Sequence, residues 1–257
     1  MTSGITERFS MLDQRNQTER DREFAKSMEA YFAHGLGTNM DKLRNFTKYV
    51  PRQNLAHFLA KNALFGQIAG IHGHIIECGV HLGGGLMSWA QFSAIYEPVN
   101  HVRRVVGFDT FTGFASLDSK DSGDNLEYAV QGGLATHAQD DVEECIRLYD
   151  LNRFLGHIQH VELVVGDAVL TIPKYVHDNP HLVVAMLYLD FDLYEATKAA
   201  IESFLPRMPK GAILAFDELN QSAWPGETLA VLETVGLRNL KIQRFPFTPQ
   251  LSYAVLE

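Results

Sequence analysis

An open α/β sheet with helices on both faces, preceded by a helical N-terminal extension, is the fold this sequence predicts. Strand-like apolar runs alternate with helical periodicity five times between residues 74 and 236. Two further strand-like runs follow and bring the strand total to seven. Carboxylates close the fourth and fifth runs, in Leu189-Asp190-Phe191-Asp192 and Phe216-Asp217-Glu218, where open α/β sheets bind ligands.

Residues 1–60 favour helix and carry no alternating pattern. Within them, 19–32 mixes acidic, basic and apolar residues as an amphipathic helix does. After Pro51 a helical spacing of Leu55, Phe58, Leu59, Leu64 and Phe65 continues to Gly66 and Gly70. This region, 1–60, is expected to cap a catalytic domain spanning 61–257. A strand at 74–78 leads into a glycine-rich turn and an apolar helix at 86–95. The β-branched run 102–108 ends in Asp109. Residues 110–137, rich in Gly, Ser, Thr and Asp, predict a long loop, and loops of that length often serve as lids.

Residues 140–154 predict a helix whose Asp140 and Asp141 suit its first turn. The third strand, 161–165, ends in Gly166-Asp167 and a short helix runs on to His177. Strand 182–189 precedes a helix at 193–205, apolar at Leu193, Ala196, Ala200, Ile201 and Leu205. After strand 212–216, Pro225 opens a helix that ends near Gly236. Runs 240–247 and 251–256 predict a terminal antiparallel pair turning around Thr248-Pro249.

A net charge of −9 disfavours nonspecific binding to nucleic acid or an anionic membrane. Apolar runs fall short of membrane-spanning length, and residues 1–22 lack the apolar core of a signal peptide. Cys78 and Cys145, the two cysteines, have no metal-site spacing. A reduced, cytoplasmic protein is expected.

The turn Glu77-Cys-Gly79-Val-His-Leu-Gly83-Gly84-Gly85 directly follows the first strand. Its glycines permit close backbone approach, and the helix start behind them attracts electronegative groups. It is neither a strict G-x-G-x-x-G nor a P-loop. Glu77 suits a cation or a ligand amine better than a phosphate, or else is a loop partner. Asp109 ends the second strand, 32 residues after Glu77, where an acid accepts from a ribose diol or else is a turn residue. Gly166-Asp167-Ala168 ends the third, where Asp167 either meets an adenine amino group or caps the next helix. Asp190 and Asp192, at i and i+2, face one side of a strand and point to a metal. Asp192-Leu-Tyr-Glu195 also fits a capping box, and Asp217-Glu218 fits a cap or turn. His72, His74 and His81 lack zinc spacing and predict packing or surface roles. Phe108, Phe111 and Phe114 either wall a ligand pocket or pack the sheet edge.

Taken together these segments resemble class I S-adenosylmethionine-dependent methyltransferases, and more narrowly the macrocin O-methyltransferase family, from about Pro51 to the C-terminus. The resemblance is carried by Ile76-Glu-Cys-Gly-Val with Gly83-Gly84, by Phe108-Asp-Thr-Phe-Thr-Gly113, by Leu189-Asp-Phe-Asp-Leu-Tyr-Glu-Ala-Thr197 and by Phe216-Asp-Glu218. It implies a Rossmann-like seven-stranded sheet. It also implies a cosubstrate site of Glu77, Gly79, Gly83, Asp109, Asp167 and Ala168 with Asp190 alongside. Asp190, Asp217 and Glu218 would hold a divalent metal, usually magnesium, with Asp192 as general base. Two departures stand out: Gly85 replaces the family's usual serine or threonine, and Glu218 its usual aspartate. Glutamate still offers a hard oxygen ligand.

The expected function is S-adenosylmethionine-dependent, metal-assisted O-methylation of a sugar hydroxyl in antibiotic biosynthesis. The substrate would be a nucleotide-linked deoxysugar or a glycosylated small molecule, and the enzyme a homo-oligomer. Arg52, Lys61 and Arg147 are diphosphate candidates by elimination. A metal-dependent methyltransferase of catechol-like phenols and a noncatalytic ligand-binding protein are the rival readings. A nicotinamide oxidoreductase fits the glycine spacing and the acids poorly.

Overall fold

The structure, a computed structural model, describes residues 18–124 and 128–257. The helix-favouring stretch before residue 18 and positions 125–127 of the long loop lie outside the described residues. The chain divides into two compact units, Met1–His57 and Phe58–Glu257.

In the first unit, α1 (Glu19–His34) and α2 (Asn39–Arg44) each open on a capping box, Thr18 with Asp21 and Thr38 with Asp41. Tyr31 stacks on Tyr49 at 5.3 Å, and Phe32 meets Tyr49 edge-on at 5.6 Å. The boundary between the units falls within α3 (Arg52–Ile68).

The second unit is a seven-stranded sheet with helices. Its elements are β1 (His74–Cys78), α4 (Gly84–Tyr96), β2 (Val105–Asp109), α5 (Gln139–Leu151), β3 (Val161–Val165), α6 (Ala168–Asp178), β4 (Val184–Leu189), α7 (Tyr194–Phe204), β5 (Ile213–Phe216), α8 (Pro225–Thr234), β6 (Gln243–Phe245) and β7 (Thr248–Val255). The strand order is β3-β2-β1-β4-β5-β7-β6, parallel except for β7, which runs antiparallel to both neighbours. Among the described residues, no helix is long and apolar enough to cross a membrane.

Register rows explain why the central strands read as unbroken apolar runs. Ile75, Val105, Met186 and Ile213 form one row and pack into the core that includes Leu64, Phe65 and Trp89. Ile76, Val106, Leu187 and Leu214 form the next row and face the core of Ile172, Ile201 and Phe204. Parallel strands covered on both sides bury every side chain, as all six residues of β4 do. Strand order reverses between β1 and β4, whose ends align through Cys78 and Leu189. That switch point is where this architecture opens a ligand crevice.

Two expectations are corrected in detail. The second strand starts at Val105 rather than 102, because Arg103 is used as a clamp. Its guanidinium donates to the carbonyls of Ile68, Ile71 and Gly73 and pairs with Glu97 at 2.6 Å. The terminal hairpin reverses at Pro246-Phe247, pairing Phe245 with Thr248, and not at Thr248-Pro249. Pro249 lies inside β7 beside a register shift, before the stretch that pairs with β5, so its missing N–H breaks no bond to that strand.

His74 offers a stability test. Its Nδ1 accepts from Arg104 N–H at 3.4 Å, a bond only the unprotonated ring nitrogen makes. Burial, reinforced by nearby Arg104 and His181, lowers its pKa from 6.5 to about 4. The unfolded chain therefore binds the extra proton first, so this contribution is complete above pH 6.5 and is lost as pH falls towards 4. Discounted for partial exposure, it amounts to roughly 1–2 kcal/mol. Urea unfolding from pH 7 to 4 should show a shallower loss in His74→Gln than in the parent; parallel curves would refute the assignment.

Candidate active site

The turn after β1 is built around two close approaches. Gly79 adopts φ +99°, and a Cβ there would lie 2.0 Å from the Asp190 carbonyl oxygen. Asp109 fixes the rest of the turn. Its Oδ2 accepts the N–H groups of Val80 and His81 at 2.7 Å each, and its Oδ1 accepts that of Phe111 at 2.6 Å. Gly83 is the N-cap of α4. The residue expected to meet a ribose diol thus also holds the loop that would cradle the ligand. Asp167 caps α6 through Val169 N–H at 3.0 Å, and Ala168 is the first residue of that helix.

Glu77 is buried and paired with Lys61 of α3 at 3.7 Å. The Lys61 ammonium lies 4.3 Å from the Tyr188 ring centroid and 5.5 Å from that of Trp89. Burial raises the Glu77 pKa to about 7, against the opposing pull of Lys61. Its Oε2 has no hydrogen-bond partner among the described residues. The departure at Gly85 now has a physical account: a Cβ there would meet Glu77 Oε1 at 1.8 Å. Of the three diphosphate candidates, Lys61 is buried in this pair, Arg147 is bound to Glu144 at 2.7 Å and Arg52 is exposed.

The acids converge just beyond β4 and β5. One carboxylate oxygen from each of Asp190, Asp192 and Glu218 lies within 4.8 Å of the others. Asp190 and Asp192 are partly exposed, and Glu218 is buried. Asp217 stands beside them, its Oδ1 accepting the Tyr188 hydroxyl at 2.6 Å. Behind Glu218 lies an acid that the motifs do not reveal. Glu227, fully buried in the first turn of α8, accepts the Glu218 N–H at 3.2 Å.

Burial, then the charge of Asp217, pushes the pKa of Asp190 well up and that of Asp192 to about 7. Glu218 and Glu227 are raised by the same two causes in the same order. Two such charges about 5 Å apart repel by roughly 3 kcal/mol at an effective dielectric near 20. Protons or a cation must neutralise the cluster.

The capping-box expectation for Asp192 does not hold. Its φ is +64°, so the chain enters α7 through Leu193, an N-cap with no side-chain bond. Tyr194 N–H instead donates to Asp121 Oδ1 at 2.7 Å, a cap supplied from the long loop. Nor do Asp217 and Glu218 cap a helix, since α8 begins at Pro225 behind Trp224. Phe108 and Phe111 are buried in the sheet's packing, while Phe114 stands edge-on to Trp224 at 5.6 Å.

The family model of the macrocin O-methyltransferases (TylF) matches residues 13–234. The chain belongs to the macrocin O-methyltransferase family. As a member, it is an S-adenosylmethionine-dependent O-methyltransferase. The crystal structure of CalS11, a calicheamicin methyltransferase, matches this family member with a TM-score of 0.90 at 32% identity, covering 96% of this chain and 97% of that one. The apo structure of CalS11, a TDP-rhamnose 3'-O-methyltransferase of calicheamicin biosynthesis, matches with a TM-score of 0.81 at 32% identity and covers 95% and 99%. The O-methyltransferase NovP shares the fold, with a TM-score of 0.61 at 19% identity over 78% of this chain and 79% of that one. A comparison with curated proteins gave no match.

Proposed function

We propose that the chain methylates a hydroxyl of a nucleotide-linked deoxysugar in antibiotic biosynthesis, with a divalent cation held by the acid cluster. The convergence of Asp190, Asp192 and Glu218 within 4.8 Å carries this reading. The donors suit a hard cation such as magnesium, being carboxylate oxygens without thiolate or imidazole. Glu218 Oε2, buried without a hydrogen-bond partner among the described residues, fits the role of a ligand atom. The substrate class is supported by the family's description and by TDP-rhamnose in the description of CalS11.

Asp190 and Glu218 would hold the cation, with Asp217, steadied by the Tyr188 hydroxyl, completing the set. When bound, the cation would stabilise a developing alkoxide and orient the attacking hydroxyl towards the activated methyl of the cosubstrate. Asp192 would accept the hydroxyl proton on a carboxylate oxygen. The turn with Glu77, Gly79 and Gly83, together with Asp109, Asp167 and Ala168, would bind the cosubstrate and fix the line of transfer.

The test is a mass-shift assay over nucleotide deoxysugars, glycosylated small molecules and catechols, with magnesium or with EDTA. The expected outcome is a one-methyl gain on a nucleotide deoxysugar that EDTA abolishes and magnesium restores. Preference for a catechol or a glycosylated product would overturn the substrate half. EDTA-insensitive turnover would overturn the metal half.

A further inference from the structure

We propose that Asp121 is a positioning residue that fastens residues 118–124 of the long loop to the acid-bearing ends of β4 and β5, and so sets the backbone that presents Asp192. The inference rests on the reading that Asp192 serves methyl transfer.

Asp121 is 1% exposed, and both its oxygens are engaged. Oδ2 accepts the Asp118 N–H at 2.8 Å, within the loop's own short turn. Oδ1 accepts the Tyr194 N–H at 2.7 Å, the orphan donor of a helix whose N-cap has no side-chain bond of its own. The loop thus supplies a cap from 73 residues upstream. Between that cap and Asp190 lies Asp192, held at φ +64°, a left-handed region uncommon for residues other than glycine, though aspartate enters it more readily than most.

The second strand end is gripped as well. Gly226, the second residue of α8, leaves the space that Asp121 fills. A Cβ there would stand 2.2 Å from Asp121 Oδ1, 2.6 Å from Tyr194 N and 3.1 Å from the Asp192 carbonyl oxygen. Asp124 N–H donates to the Ser222 carbonyl at 3.2 Å, and a Cβ on Gly123 would meet the Ala223 carbonyl at 2.3 Å. Outside this, Lys120 Nζ pairs with Glu233 of α8 at 2.7 Å and lies 3.8 Å from the Tyr194 ring centroid. One loop segment therefore touches the stretch after β4 and the stretch after β5, which carry the converging acids.

Asp121→Ala, Asp121→Asn, Gly226→Ala and the Asp121→Ala/Gly226→Ala double variant test this by kcat, cosubstrate KM and cosubstrate binding calorimetry. Asp121→Ala should lower kcat roughly 10- to 100-fold, the scale of a misplaced reacting group. Cosubstrate affinity should stay within about 2-fold, because Asp109 holds that turn independently. Asp121→Asn should recover part of the rate, its single amide oxygen still accepting from Tyr194 while its NH2 group replaces the acceptor that Asp118 N–H uses. Gly226→Ala should reproduce the loss without removing a carboxylate, and the double variant should lose less than the product of the two single losses. Unchanged kcat in the folded variants would overturn the proposal. So would a parallel loss of kcat and cosubstrate affinity, or multiplying effects in the double variant. Should Asp121→Ala fail to fold, Gly226→Ala and Asp121→Asn carry the same comparison. Full turnover in Asp192→Asn would remove the underlying reading instead, whereas its loss beside an active Asp121→Ala would remove only the clasp.

Discussion

Asp190→Asn is expected to lower turnover by at least about 100-fold while leaving the metal-free protein as stable as the parent, or more so. Ordinarily a substitution in a buried site costs stability. Here the carboxyl of Asp190 is pushed well above its usual range, first by burial and then by the charge of Asp217. Without a cation its charge is a burden, and a neutral isostere relieves it. With a cation the ordering reverses. A ligand at a hundredfold excess over its Kd stabilises the state it binds by about 2.7 kcal/mol. For a domain of this size that is a rise of about 5–10 °C in Tm. The parent should show this rise with magnesium, and Asp190→Asn should not. Asp192→Asn should separate the roles, keeping most of the rise but losing turnover. Thermal unfolding with and without magnesium, run beside the activity assay, decides the matter. A full magnesium response in Asp190→Asn would sink its assignment as a ligand.

The sheet was legible because burial on both faces leaves a direct imprint on sequence. The fourth run, 182–189, needs no partner to be recognised, and Asp190 at its end inherits its place from the strand. Gly79 and Asp109 were legible for the same reason, one the first residue past β1 and the other the last residue of β2. Asp121 was not, because a cap supplied from 73 residues away leaves no local pattern. The local pattern was actively misleading: Asp192-Leu-Tyr-Glu195 has the letters of a capping box. A cap needs extended backbone, and Asp192 is left-handed.

Glu227 and Lys61 illustrate two grades of hidden information. Glu227 sits in a helix's first turn, an ordinary site for an acid, and its burial against Glu218 is purely tertiary. Lys61, by contrast, left a trace. It is in phase with Leu64, Phe65 and Ile68 along the buried face of α3, where a lysine demands an internal partner. The partner is Glu77, and the glycine at position 85 makes room for it. A serine or threonine at that position in this chain would require a different Glu77 conformation.

Gly79→Ala and Gly84→Ala, five residues apart in one glycine-rich segment, are expected to have opposite outcomes. Gly84 is the first residue of α4, and a Cβ there meets nothing within 4 Å, so alanine should be neutral or slightly stabilising. Gly79 has φ +99°, and its Cβ would overlap a backbone carbonyl at 2.0 Å. Neither chain can step aside. Gly79 N–H is bonded to the Phe108 carbonyl at 2.9 Å, and Asp190 N–H to the Cys78 carbonyl at 2.8 Å. Backbone strain of about 1–3 kcal/mol and overpacking of about 1–3 kcal/mol give a cost of roughly 2–6 kcal/mol. At about 2–4 °C for each kcal/mol, the Tm should fall by about 4–24 °C. Relief of the overlap would part β1 from β4 at the switch point, so cosubstrate affinity should drop in the molecules that still fold. Urea and thermal unfolding of the two variants measure the contrast directly. Equal stability losses would mean that the motif needs glycine for flexibility alone, and that the contact between the cosubstrate turn and the Asp190 backbone is incidental.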